Sequence, residues 1–61
     1  MAEYRLYFLD DDGHIRGVYE FLGEDDFTAA EQAARHADGR GMELWRREHL
    51  VRTFERSAAL A

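Results

Sequence analysis

Two similar hydrophobic runs occupy the first third of the chain. YRLYFL covers residues 4–9, IRGVYEFL covers residues 15–22, and DDDGH lies between them. Two β-prone runs separated by aspartate and glycine indicate a β-hairpin. Asp12 and Gly13 suit a two-residue type I′ turn, because its central residues need a positive φ, which glycine adopts freely and aspartate tolerates.

This turn fixes which residues of the two strands face each other. It predicts that Arg5 lies opposite Glu20 and that Leu6 lies opposite Tyr19. One predicted face carries Tyr4, Leu6, Phe8, Ile15, Tyr19 and Phe21. The other predicted face carries Tyr7, Leu9, Val18 and Leu22. A slip of one residue would mix the two sets, so the pattern and the turn predict the same register.

Acidic residues at 24–26 followed by an alanine-rich segment predict a helix. An aspartate at this point can accept hydrogen bonds from the free amides of the first turn and complement the positive end of the helix dipole. Helical spacing predicts a core stripe of Phe27, Ala30, Ala33, Ala34 and Ala37. Asp38 and Gly39 predict the end of the helix, since glycine is common directly after one.

The runs MELW at 42–45 and LVRTF at 50–54 predict a second hairpin. With Arg47 and Glu48 as its turn, Leu44 faces Val51 and Glu43 faces Arg52, a cross-strand pair of opposite charges. Neither turn residue readily adopts a positive φ, so a longer loop is the alternative.

Together these elements predict an α+β fold of ββαββ order, an antiparallel sheet with one alanine-rich helix packed on one face. Residues 1–56 form a single domain, and residues 57–61 form a C-terminal tail. Both faces of the first hairpin are apolar, and a single short helix can cover only one of them. A domain this small buries a limited share of its surface, which favours self-association.

Charge and composition narrow the functional classes. The 61 residues carry a formal net charge of −5 and contain no cysteine, which excludes disulfides and thiolate metal sites. An acidic chain lacks the electrostatic attraction behind most nucleic-acid binding, so a nucleic-acid ligand is disfavoured. Neither a signal-peptide pattern nor an apolar run of membrane-spanning length is found, and we therefore expect a cytoplasmic protein without membrane contact.

No set of residues has the spacing of a known catalytic or metal site. The DDDG segment fails the EF-hand pattern, because Phe8 falls at the first ligand position and Tyr19 at the twelfth. His14, His36 and His49 are too widely spaced to indicate a zinc site. No nucleophile stands beside a base, so we predict neither an enzyme nor a cofactor.

Late arginines form the one basic region of the sequence. A weak basic patch is predicted from Arg40, Arg46, Arg47 and Arg52. With Trp45 among them, they could contact an acidic partner or stack a base. The interleaved acids Glu43, Glu48 and Glu55 favour the other interpretation, in which these arginines are solvated and paired.

The segments YRLYFLDDDGHIRG and MELWRREHLVRTF resemble those of a set of short proteobacterial proteins of unassigned function. The resemblance covers nearly the whole chain: a YR-x-YFLD-x-DGHI hairpin, an alanine-rich helix with an acidic cap, an ELW strand and a short RLV-type strand. Their second turn often has a glycine where this chain has Arg47. More distantly, the ββαββ order resembles small antitoxin-like and double-stranded-RNA-binding-like domains. These resemblances imply a fold and no chemistry.

The functional hypothesis that follows is a non-enzymatic protein-interaction module that forms a homodimer. Its predicted contact residues are Tyr7, Leu9, Val18, Leu22, Trp45 and Phe54. An antitoxin-like or adaptor protein that binds a basic protein partner is the alternative, and a nucleic-acid-binding domain is a weaker one.

Overall fold

Four strands and one helix make up residues 1–56 of the protein. The computed structural model describes residues 1–56, so the predicted tail at 57–61 lies outside the described residues. The elements are β1 (Ala2–Leu9), β2 (Ile15–Gly23), α1 (Asp26–Ala34), β3 (Met42–Arg46) and β4 (His49–Phe54). The strands form one antiparallel sheet in the order β2-β1-β3-β4. The predicted α+β fold of ββαββ order is confirmed, and β2 and β4 are its edge strands.

The first hairpin has the predicted register but a different turn. Arg5 pairs with Glu20 as predicted. The amide of Gly13 donates to the carbonyl of Asp10 at 3.0 Å, and Gly13 has a φ of 83°. Asp12 does not have the positive φ that a type I′ turn requires, so the predicted turn type is wrong. Residues 11 and 12 are instead the centre of the β-turn, and glycine follows in the left-handed region, as in common three-residue loops.

A β-bulge in β2 compensates for the displaced turn. Leu9 pairs with Ile15 and Phe8 pairs with Gly17, which leaves Arg16 as the extra residue. The bulge restores the predicted register from Gly17 onward. It also turns Ile15 to the side of the sheet opposite to the predicted one, because one extra residue reverses the alternation.

Helix α1 begins where the acidic segment predicts and ends earlier than expected. Asp25 is its N-cap and accepts a hydrogen bond from the amide of Thr28 at 2.7 Å. Because this bond favours the charged carboxylate, it holds the pKa of Asp25 below its ordinary value. After Ala34 the amides of His36 and Ala37 bond three residues back, in tighter turns that end the helix. The predicted end at residues 38–39 is therefore wrong.

The helix packs on the sheet with a different face from the predicted one. The buried positions are Ala29, Ala30 and Ala33. Phe27 is 72% exposed, and Ala34 and Ala37 are exposed as well, so only part of the predicted stripe is correct.

Close approach of the helix to the sheet explains this choice of face. A β-carbon added to Gly23 would lie 2.9 Å from the Tyr4 ring and 3.2 Å from Cβ of Ala29. At this spacing alanines fit between the helix and the sheet, and a phenylalanine would not. Beneath the alanines, the largest fully buried side chains are Tyr4, Leu6, Met42 and Leu44.

The second hairpin has the shorter of the two predicted loops. Arg46 pairs with His49, so Arg47 and Glu48 form a two-residue turn. Arg47 has a φ of 55°, the left-handed conformation that favours glycine.

A second bulge shifts the register of β4. Leu44 pairs with Arg52 and Glu43 pairs with Thr53, which leaves Val51 as the extra residue. The predicted pairs of Leu44 with Val51 and of Glu43 with Arg52 are therefore wrong. The turn near Arg47 does not determine this shift, because the bulge lies three residues beyond it.

Candidate functional site

Within residues 1–56, α1 covers one face of the sheet and no element covers the opposite face, called the open face below. Its apolar and aromatic side chains are Tyr7, Leu9, Ile15, Val18, Leu22, Trp45 and Leu50. Several of them are about half exposed: Ile15 at 57%, Val18 at 52%, Leu22 at 56% and Leu50 at 48%. All four strands contribute a residue, so the exposed apolar surface extends across the whole sheet.

Two cross-strand pairs form the centre of the open face. Arg5 faces Trp45, and Tyr7 faces Glu43. The indole Nε1 of Trp45 donates a hydrogen bond to Oε1 of Glu43 at 3.0 Å. Nε of Arg5 lies 3.0 Å from Oε2 of Glu20. The charged groups of this centre therefore have partners within the face, which reduces the cost of covering it with another protein.

The open face contains five of the six predicted contact residues: Tyr7, Leu9, Val18, Leu22 and Trp45. Leu9 is half-buried near Gly41, whose carbonyl accepts a hydrogen bond from the Leu9 amide at 2.9 Å. Phe54, the sixth predicted contact residue, lies opposite Met42 and packs against the buried core, on the other side of the sheet from Trp45. The bulge at Val51 is the reason, because it reverses the alternation along β4.

Sequence reasoning missed two residues of the open face. Ile15 joins it through the bulge at Arg16 and, with Tyr7 and Trp45, lines a shallow depression on its surface. Leu50 joins it as the partner of Trp45 in β4. The alternation of residues gave no signal for Ile15, since an unbulged strand would point it to the helix side.

The four arginines predicted to form a basic patch lie on three segments: before β3, at the second turn and on β4. Arg40 precedes β3 and pairs with Asp38 at 2.9 Å, which holds the pKa of Asp38 below its ordinary value. Arg46 ends β3 and lies 3.6 Å from Asp26. The acids that pair with these two arginines are not the predicted glutamates.

The remaining two arginines of the predicted patch have different surroundings. The guanidinium of Arg52 lies 5.0 Å from the centre of the Phe54 ring, and Arg47 is on the second turn. Together the four arginines do not make the continuous row of cations that would follow a phosphate backbone. Binding of nucleic acid therefore gains no support from their arrangement.

The acidic first turn is held by its own hydrogen bonds. The carboxylate of Asp10 accepts from the amides of Asp12 and His14 at 2.9 Å each and from Nε of Arg16 at 2.6 Å. The bond from the His14 amide, followed by the bond from Arg16, lowers the pKa of Asp10 to about 2. Ligand atoms of Asp10, Asp12 and His14 lie within 4.8 Å of one another, as in a metal site. The turn geometry already accounts for this cluster.

A row of aromatic rings lies on the helix side of β2. The Phe21 ring stacks on Tyr4 at 5.7 Å and on Tyr19 at 5.4 Å between ring centres. His36, directly after the helix, lies 4.7 Å from Tyr19. Tyr19 remains 43% exposed, so β2 presents apolar surface on both sides of the sheet.

No family model, curated protein or solved structure matches this chain. Within residues 1–56, no helix is long and apolar enough to cross a membrane. The features of the protein that bear on its function are therefore the open face and the edge strand β2.

Proposed function

We propose that this protein is a small, non-enzymatic protein-interaction module that works as a homodimer. The observation that supports the proposal is the open face, which carries exposed apolar side chains from all four strands. Contiguous apolar surface of this kind marks interaction sites on small proteins more often than scattered exposed residues do.

The composition of the open face is typical of a protein interface. Trp45, Tyr7 and Arg5 lie next to one another at its centre, and these three residue types carry much of the binding energy in known interfaces. The aliphatic residues Val18 and Leu22 surround them on β2. Charged residues within the face suit a reversible complex better than a permanent one, because permanent interfaces are more hydrophobic.

The size of the core supports a second copy as the partner. Among residues 1–56, seven buried hydrophobic residues form the core, and three of them are alanines, which bury little area each. A domain of about 60 residues has a thin margin of stability, and association with a second copy adds apolar burial that the single chain lacks.

Light scattering coupled to size-exclusion chromatography tests the proposal between about 1 and 100 µM, the range in which a reversible dimer of this size should dissociate. We expect a mass that rises toward twice the chain mass of 7.1 kDa. Val18→Asp should shift the equilibrium to monomer. The matched control is Phe27→Asp, which removes an exposed apolar residue from the helix and should leave the dimer intact. A wild-type monomer at every concentration would exclude the proposal.

A further inference from the structure

Strand β2 is a long edge strand with little protection against pairing. It has nine residues and borders the sheet on one side. Val18 and Leu22 are exposed on the open face, and Tyr19 is exposed on the helix side. Edge strands of monomeric proteins are usually protected by short length, charged side chains, proline or a bulge. Strand β2 is long and contains no lysine or proline, so its protection is limited to the charges of Arg16 and Glu20 and the bulge at Arg16.

The backbone of β2 presents alternate residues to its free edge. The Leu9 amide donates to Gly41, so the backbone groups of Leu9 are directed toward β3. Because these directions alternate along an antiparallel strand, the groups of Leu6 are directed toward β2, where they meet Tyr19. It follows that the N–H and C=O groups of Val18 and Glu20 are directed away from the sheet.

A second β2 strand can pair with this edge around a two-fold axis in few registers. An axis at Val18 places Val18 opposite its own copy and Arg16 opposite Glu20 at both ends. An axis at Glu20 would place two glutamates face to face, which is destabilising. An axis at Tyr19 would place Val18 opposite Glu20 and leave both charges without an opposite partner. Charge complementarity therefore selects the axis at Val18.

Asp10 and Arg5, which contact Arg16 and Glu20 within one chain, extend this charge complementarity. Within one chain Arg16 already contacts Asp10 at 2.6 Å, and Glu20 contacts Arg5 at 3.0 Å. Pairing of two β2 edges would join these into a line of four charges with alternating sign. The Arg16 and Glu20 side chains are 66% and 65% exposed, so their contribution is to select the register more than to supply affinity.

The other edge strand is less suited to pairing. Strand β4 has six residues, and the bulge at Val51 interrupts it near its middle. The bulge of β2 lies at Arg16, near the start of the strand, and the strand is regular from Gly17 to Gly23, whereas the bulge of β4 divides a shorter strand.

We infer that two copies of this chain pair through their β2 edges, antiparallel and around a two-fold axis at Val18, to form one continuous eight-stranded sheet. The inference rests on the proposed homodimer and specifies its geometry. In this dimer the two open faces lie side by side, and Trp45 stays uncovered.

A charge-exchange experiment tests the inference. Arg16→Glu alone would place two glutamates opposite each other, and Glu20→Arg alone would place two arginines opposite each other. We expect each variant to raise the dimer dissociation constant at least about tenfold. An equimolar mixture of the two variants restores both opposite-charge pairs, so native mass spectrometry should detect a heterodimer with nearly wild-type affinity.

Controls separate this geometry from the alternatives. Glu31→Arg reverses a charge on the helix and should leave the dimer unchanged. Circular dichroism of each monomeric variant checks its fold, and a local folding defect would not be repaired by mixing. Recovery of the heterodimer supports pairing at Val18, whereas two monomeric variants that do not recover on mixing would overturn it.

Two further outcomes distinguish the inference from the proposed function. If wild type is a dimer and both variants dimerise with wild-type affinity, edge pairing is overturned and the proposed homodimer stands. If wild type never dimerises, both are overturned. Fluorescence of the lone Trp45 gives a second readout, because its emission should not change on dilution when β2 edges pair and should shift when open faces pack together.

Discussion

The Tyr4 hydroxyl donates a hydrogen bond of 2.8 Å to Oδ1 of Asp26, which joins the central strand β1 to the first residue of α1. Arg46 of β3 lies 3.6 Å from the same carboxylate oxygen. Burial raises the pKa of Tyr4 above its ordinary value of 10.0, and the hydrogen bond to Asp26 raises it further. Three elements therefore meet at one side chain, and this contact helps to position the helix on the sheet.

Tyr4→Phe should lower the free energy of unfolding by about 1 kcal/mol, because the ring keeps its packing while the hydrogen bond to Asp26 is lost. Urea denaturation followed by circular dichroism measures the change. Tyr19→Phe, which alters a half-exposed ring on β2, is the control and should change stability by less than about 0.5 kcal/mol. Equal stability of Tyr4→Phe and wild type would show that the contact to Asp26 contributes nothing.

Gly23→Ala should destabilise the protein by about 1–3 kcal/mol, because the added β-carbon would meet the Tyr4 ring at 2.9 Å where helix and sheet are closest. Gly17→Ala is the matched control in the same strand, since its β-carbon would meet only the Phe8 ring at an ordinary 3.7 Å. The midpoint of thermal unfolding compares the two. A similar midpoint for both variants would contradict the close approach of α1.

Arg47→Gly should stabilise the protein by about 0.5–1 kcal/mol. Arg47 has a φ of 55°, which strains an L-residue, and relief of this strain exceeds the extra entropy that glycine loses on folding. Glu48→Gly, at the neighbouring position of the turn, should destabilise by a similar amount because Glu48 has no positive φ to relieve. Chemical denaturation of both variants measures the difference, and a destabilised Arg47→Gly would refute the turn geometry.

Stability should fall as the pH decreases from about 4 to 2. The pKa of Asp10 is about 2 in the folded protein against an ordinary value of 3.8, so its charged form stabilises the fold above 3.8. That stabilisation is lost as the pH falls through the folded pKa. Denaturation at a series of pH values should show a smaller acid dependence for Asp10→Asn than for wild type. An NMR titration of the Asp10 carboxyl with a midpoint near 4 would contradict the prediction.

Local patterns in the sequence determined the elements of this fold. Alternating aromatic residues predicted both strands of the first hairpin and its register, because strand alternation and turn length constrain each other over short distances. The acidic segment predicted the helix start, since capping by Asp25 needs only residues within one turn. The same alternation placed Tyr7, Val18 and Leu22 on the face that the helix does not cover.

Contacts between distant segments decided the rest. Pairing of β1 with β3 set the strand order and made β2 an edge. The close approach of α1 at Gly23 chose alanines over Phe27 for the buried side, a choice that spacing along the helix could not make. Bulges at Arg16 and Val51 moved Ile15 onto the open face and Phe54 off it. One extra residue in a strand reverses every side chain on one side of it, and nothing in the local pattern marks that residue, so only the tertiary structure determines which side chains the open face presents.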